Sequence, residues 1–147
     1  MGYHGGVIMR RLAPVVLVAA LLAGCSPTSS STAPATAVAG AVQKQDLSAQ
    51  EFSALVAQPG VTVLDVRTPA EFAGGHLEGA LNIDLQAGDF DARLAALPKD
   101  GNYAVYCRSG NRSATALAKM RAAGFTKGAH LTGGIGAWQA AGYAIVR

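Results

Sequence analysis

A chain of 147 residues with 14% charged side chains has room for one modest core, and its two Cys and three His show no clustered ligand set for a metal. No basic run interleaved with aromatics is present, which excludes the usual footprint of a nucleic-acid binder. The formal charge of +3 includes Arg10 and Arg11, and without residues 1–24 it falls to +1.

The chain opens on a segment that reads as an address. From Met9, two arginines precede an apolar run of about a dozen residues, too short for the ~20 of a membrane-spanning helix but suited to a secretory signal. Leu22-Ala23-Gly24-Cys25 closes that run and resembles the lipobox of bacterial lipoproteins, which predicts cleavage after residue 24 and a lipid on Cys25. The mature protein is then expected to be exported and lipid-anchored on the cell envelope. The residue after Cys25 is Ser26, which by analogy with lipoproteins points to the outer membrane where one exists. Residues 25–45, rich in Ser, Thr, Ala and Pro without apolar periodicity, read as a flexible spacer.

Residues 46–147 carry the pattern of a folded domain. Ser48 with Glu51 forms a capping box, and Phe52, Leu55 and Val56 share one helical face behind it. VTVLDV is a buried strand ending at a carboxylate. PAEFAGGH starts a helix on Pro69 and stops on paired glycines. ALNIDL gives a second strand, FDARLAALP a helix, YAVYC a third strand and SATALAKMRAAG a helix stopped by Gly124. AHL, IGAWQAAG and YAIV follow as strand, helix and last strand, with Ile135 and Trp138 on the helix's apolar face. Alternating strands and helices predict an α/β fold with an open parallel sheet of about five strands and helices on both faces.

Such sheets place ligands beyond the carboxyl ends of their strands. Cys107 stands at one such end, Asp65 and Arg67 at another, and Thr132-Gly133-Gly134 at a third. CRSGNRS, Cys107 to Ser113, runs from strand into helix, so its amides lack intrahelical partners and can converge on an anion, with Gly110 permitting the curl. Arg108 and Arg112 flank the cysteine, and the combination favours a thiolate. Asp65 and Arg67 are expected to pair and brace the loop. His76, in GGHLEGA, reads as a hydrogen-bonding turn residue.

DVRTPAEFAGGHLEGALNIDL, VYCRSGNRSATALAKMRAAGF and LTGGIGAWQAAGY together resemble a rhodanese domain, in matching order and spacing over nearly all of 46–147. The resemblance implies a sulfurtransferase in which Cys107 takes a sulfane sulfur from thiosulfate or a similar small anion, becomes a persulfide, and passes the sulfur to a thiol, cyanide or a protein acceptor. It implies a substrate-binding loop of Arg108, Ser109, Gly110, Asn111, Arg112 and Ser113, with no metal or organic cofactor. Two other readings stand beside it. One is an anion-loop enzyme of the arsenate reductase or phosphatase kind, although those need Cys-x5-Arg and this loop is Cys-x4-Arg. The other is a rhodanese-fold module that binds without catalysis.

Overall fold

The computed structural model describes residues 44–147. The predicted signal, Cys25 with the lipid expected on it, and all but the end of the predicted spacer lie outside them. No helix among the described residues is long and apolar enough to cross a membrane.

Ten elements alternate along the chain: β1 (Asp46–Leu47), α1 (Ala49–Val56), β2 (Val61–Asp65), α2 (Pro69–Ala73), β3 (Leu81–Asn82), α3 (Phe90–Ala95), β4 (Asn102–Tyr106), α4 (Asn111–Ala122), β5 (Lys127–Leu131) and α5 (Gly134–Ala140). The five strands form one sheet in the order β1-β5-β4-β2-β3, every pair parallel. This is the predicted α/β architecture. The central strands β2, β4 and β5 are covered on both faces, which is why VTVLD and NYAVY read as almost unbroken apolar runs.

Alternation along β4 sorts the core. Tyr103, Val105 and, just past the strand, Cys107 join Phe90, Leu94, Leu117, Met120 and Phe125 in one apolar cluster. Ala104 and Tyr106 turn to the opposite cluster, with Phe52, Leu131, Ile135 and Trp138. The two-residue period of a strand thus decides which helices surround Cys107. Trp138 is core, edge-on to Phe52 at 6.1 Å between ring centres, with its Nε1–H donating to the Ala144 carbonyl at 2.8 Å.

Three sequence readings are corrected. Tyr143 to Val146 form no sheet strand; Val146 makes a single antiparallel bridge with His76. Tyr143 instead lies against Trp138 at 4.5 Å, and Ala144 gives its carbonyl to that indole. The fifth place goes to β1, too short to show periodicity, which fills the free edge of β5: the Gln45 carbonyl accepts from the His130 amide at 2.7 Å and that of Leu47 from Thr132 at 2.8 Å. Helix α4 also starts earlier than its apolar pattern, at Asn111, so Asn111 and Arg112 belong to its first turn rather than to a longer loop.

Candidate active site

β4 delivers Cys107 to the carboxyl edge of the sheet, and three residues later Gly110 turns the chain into α4. Gly110 has φ +101, a left-handed conformation that favours glycine. A Cβ there would also stand 3.1 Å from the Gly133 nitrogen, so the loop and the turn after β5 are in close contact. With no side-chain cap on α4, its first amides are free to face the cysteine. The Gly110 N–H donates to Cys107 Sγ at 3.1 Å.

The loop is gripped from behind by α5. The amide of Ile135 donates to the Cys107 carbonyl at 2.8 Å and that of Gly136 to the Arg108 carbonyl at 3.4 Å. Gly134, at φ +59, lets the backbones meet, since any Cβ there would collide with the Cys107 and Arg108 carbonyl groups. The glycines of Thr132-Gly133-Gly134 thus lie behind the loop.

Cys107 is completely buried. Burial pushes its thiol up, but hydrogen bonds from the Ser113 hydroxyl and from the amides of Ser113, Ser109 and Gly110 outweigh it and hold the thiol below its ordinary value. Both arginines flank this centre in sequence, but among the described residues only one of them has a partner. Arg112 makes a two-pronged pair with Glu71, with both nitrogen–oxygen distances 2.8 Å, and that contact raises the guanidinium while it depresses the carboxyl to about 2. The same Glu71 closes the capping box of α2 with Thr68. Arg108 is exposed, with no hydrogen-bond or ion-pair partner among the described residues. It lines an open cavity of about 300 Å³ together with Arg67, Glu71, Gly75, Ile135 and Arg147. Asn111 and Ser109 are exposed beside it, whereas Ser113 is buried.

Asp65 and Arg67 form a closed pair at the end of β2, both buried, and Arg67 Nη2 also donates to the Gly75 carbonyl at 2.8 Å. The guanidinium lies 5.5 Å from the ring centre of Tyr106, the residue before Cys107. The pair therefore touches the base of the loop through Tyr106 and reaches the cavity only through Arg67. His76 stacks on Phe72 at 3.7 Å, its Nδ1 is 3.0 Å from the Phe72 carbonyl, and its backbone bridges Val146. It serves the connection after α2 as a packing and hydrogen-bonding residue.

Two features escaped the sequence. Neither the capping role of Glu71 nor its pairing with Arg112 was read from the sequence, and the pair lies 41 residues apart. Behind Ser113, His130 Nδ1 approaches the Ser113 hydroxyl at 3.2 Å and His130 Nε2 approaches Asp46 Oδ1 at 2.6 Å, a chain assembled from α4, β5 and β1. No local pattern links them. Among the described residues, no group of three or more His, Cys, Asp or Glu is placed to hold a metal.

Residues 48–141 match the family described as the Rhodanese-like domain. A "Sulfurtransferase" of Allochromatium vinosum is 40% identical over 86 residues, covering 58% of this chain and 78% of that protein. The "Probable adenylyltransferase/sulfurtransferase MoeZ" of Mycobacterium tuberculosis is 42% identical over 78 residues, and there the chain spans only 20% of the relative's length. Among solved structures, a rhodanese-related protein from Thermoplasma volcanium superposes with a TM-score of 0.62 at 31% identity, over 70% of this chain and 98% of the other.

Proposed function

The chain belongs to the rhodanese-like domain family, and from that premise we propose that it is a sulfurtransferase with Cys107 as the carrier. The observation that carries this reading is the Cys107 sulfur itself: a buried thiol held below its ordinary value, with the Gly110 amide at 3.1 Å and further donors from Ser109 and Ser113. Thiolate, not thiol, is the nucleophile, and fixed N–H dipoles stabilise it without a general base.

The reaction balances with no cofactor. The Cys107 thiolate attacks the outer sulfur of thiosulfate; a new S–S bond forms, the S–S bond of the donor breaks, and sulfite leaves with the electron pair. The product, Cys107-S-S⁻, carries its charge one atom further out, where the amides of the curled loop can follow it. A thiolate or cyanide then takes the outer sulfur and returns the Cys107 thiolate. Arg108, exposed and without a partner among the described residues beside the open cavity, attracts the anionic donor. Arg112 acts at one remove, since its guanidinium is committed to Glu71.

That commitment also speaks against the arsenate reductase or phosphatase alternative, which needs an arginine side chain closing on a tetrahedral oxyanion. Here the Gly110 amide, three residues after the cysteine, already donates to Sγ at 3.1 Å, a tight ring suited to one sulfur atom. Incubation of the purified chain with thiosulfate should add the mass of one sulfur at Cys107, removable by cyanide, and Cys107→Ser should abolish it. Cys107-dependent hydrolysis of aryl phosphates without sulfur uptake would establish the oxyanion reading instead, and neither activity would establish the binding module. We further propose that Cys25 tethers the domain to the envelope; Cys25→Ala should release it from the membrane fraction, and retention there would refute the anchor.

A further inference from the structure

The turn after α2 holds two guanidiniums on consecutive carbonyls. That of Gly75 accepts from Arg67 Nη2 at 2.8 Å, and that of Gly74 accepts from Arg147 Nε at 3.2 Å. Arg147 is brought there by the two backbone bonds between His76 and Val146, at 2.9 and 2.8 Å. Both arginines line the same cavity as Arg108. Two cations from opposite ends of the domain are thus fixed side by side next to the Cys107 loop.

Neither cation is used up. Arg67 is 5% exposed, and Asp65 and the Gly75 carbonyl take its Nε and Nη2. Its Nη1 has no hydrogen bond among the described residues and yet is not sealed in, so it opens onto the cavity that Arg67 lines. Arg147 is exposed and has no carboxylate partner among the described residues. The carboxylate in the lining is Glu71, and both its oxygens are held by Arg112. Asp65 stands behind Arg67, outside the lining. The wall therefore carries more positive charge than its own carboxylates balance, and an anion between the guanidiniums relieves their repulsion.

Size and lining say what kind of anion. The cavity holds about 300 Å³, the size at which sites for small organic molecules begin, whereas thiosulfate is little larger than a sulfate. Ile135 and Ile145 add apolar wall for a carbon body. The cavity meets the loop at Arg108, next in the chain to Cys107, and at Ile135, whose amide donates to the Cys107 carbonyl at 2.8 Å. We propose that Arg67 and Arg147 form a carboxylate subsite, and that the sulfur acceptor is a small organic thiol bearing a carboxylate away from its sulfur. Guanidinium forks suit a carboxylate in geometry as well as charge. The acceptor's sulfur bonds to the outer sulfur of Cys107-S-S⁻, and the S–S bond to Cys107 breaks with its electron pair going to Cys107. The acceptor's thiol proton passes to water. The acceptor's role rests on the sulfurtransferase reading given above; the subsite does not.

Two measurements on the full chain test this. In the first, the chain carrying Cys107→Ser is titrated with succinate, which has no sulfur, and binding is followed by amide NMR shifts. Arg147→Gln should weaken succinate about ten-fold, the scale of one charge-assisted contact. Lys127→Gln removes an exposed cation at the start of β5, the opposite end of the sheet, and should leave the affinity as it was. In the second, Cys107 is loaded from thiosulfate, the excess is removed, and loss of the extra sulfur is followed by mass. Mercaptosuccinate, a dicarboxylate, and mercaptoethanol, which has no carboxylate, serve as acceptors. Arg147→Gln should cut the ratio of their rates about ten-fold, and Lys127→Gln should not change it. Absent succinate binding, or an affinity that Arg147→Gln spares or Lys127→Gln lowers equally, overturns the subsite. A rate ratio that Arg147→Gln leaves unchanged overturns the carboxylated acceptor. If Cys107 takes up no sulfur the sulfurtransferase reading fails, and the succinate titration still decides the subsite.

Discussion

Helices α1 and α2 begin on side chains, whereas α4 and α5 begin on bare backbone. Ser48 with Glu51 and Thr68 with Glu71 form reciprocal capping boxes, so the first amides of α1 and α2 are satisfied within their own turn. Gly110 and Gly133 stand at the same place on α4 and α5, left-handed and without a side-chain cap. The amides left over there do other work: those of α4 face the Cys107 sulfur, and those of α5 take the Cys107 and Arg108 carbonyls. A helix start that caps itself is structural; one that leaves its donors free can build a site.

That contrast can be broken most severely at Gly134. Gly134→Ala forces a Cβ into the loop backbone at a positive φ, and should destabilise the fold by about 3 kcal/mol or more while abolishing sulfur uptake. Urea unfolding and mass spectrometry of the thiosulfate-treated protein measure both. Gly110→Ala should do less, about 1–3 kcal/mol, because only the left-handed turn and one tight contact are strained. Its sulfur uptake should still fall sharply, since the donors to Sγ move with the turn.

Ser48→Ala sharpens the comparison from the other side. It removes a cap worth about 1 kcal/mol and should leave sulfur uptake at the wild-type level. Equal losses of uptake in Ser48→Ala and Gly110→Ala at matched stability would show that the two kinds of helix start do not differ in function.

The smallest effect lies in acid. The Arg112 guanidinium, with help from Thr68, holds the Glu71 carboxyl down to about 2, against 4.5 for an ordinary glutamate. A carboxyl depressed in the folded state stabilises fully above the unfolded value and loses that contribution as pH falls through the folded one. Wild type should therefore lose thermal stability between about pH 4.5 and 2 by a margin that Glu71→Gln lacks. The partial exposure of the pair keeps this margin small. Identical acid profiles for the two proteins would show that the pair contributes nothing to folding.

Local signals made much of this molecule legible. The capping box of α1, Pro69 at a helix start, the β-branched run of β2 and the glycine stop of α4 act within a few residues, and the sequence shows such short-range physics directly. The same holds for the Cys107 loop, where strand, cysteine, glycine and helix follow one another in the chain. Where signals were short or shared, it was less legible. Two residues of β1 carry no period, and the apolar Tyr143 to Val146 fitted a strand as well as the packed segment they form around Trp138.

What the sequence determined by itself was the alternation of strands and helices, the place of Cys107 at a strand end, and the glycines that let the loop curl. Only the tertiary structure decided which partners those groups meet. Parallel strands are joined by crossovers, so residues far apart in the chain arrive side by side at one sheet edge. Arg112 finds Glu71 in this way, and Ser113 finds His130 and, through it, Asp46. A guanidinium expected beside the sulfur is claimed by a carboxylate from α2, and a histidine with no motif of its own stands behind the serine. Charge and hydrogen-bond capacity are written in single residues; which of them are spent on one another depends on distances of about 3 Å, and those exist only in the folded chain.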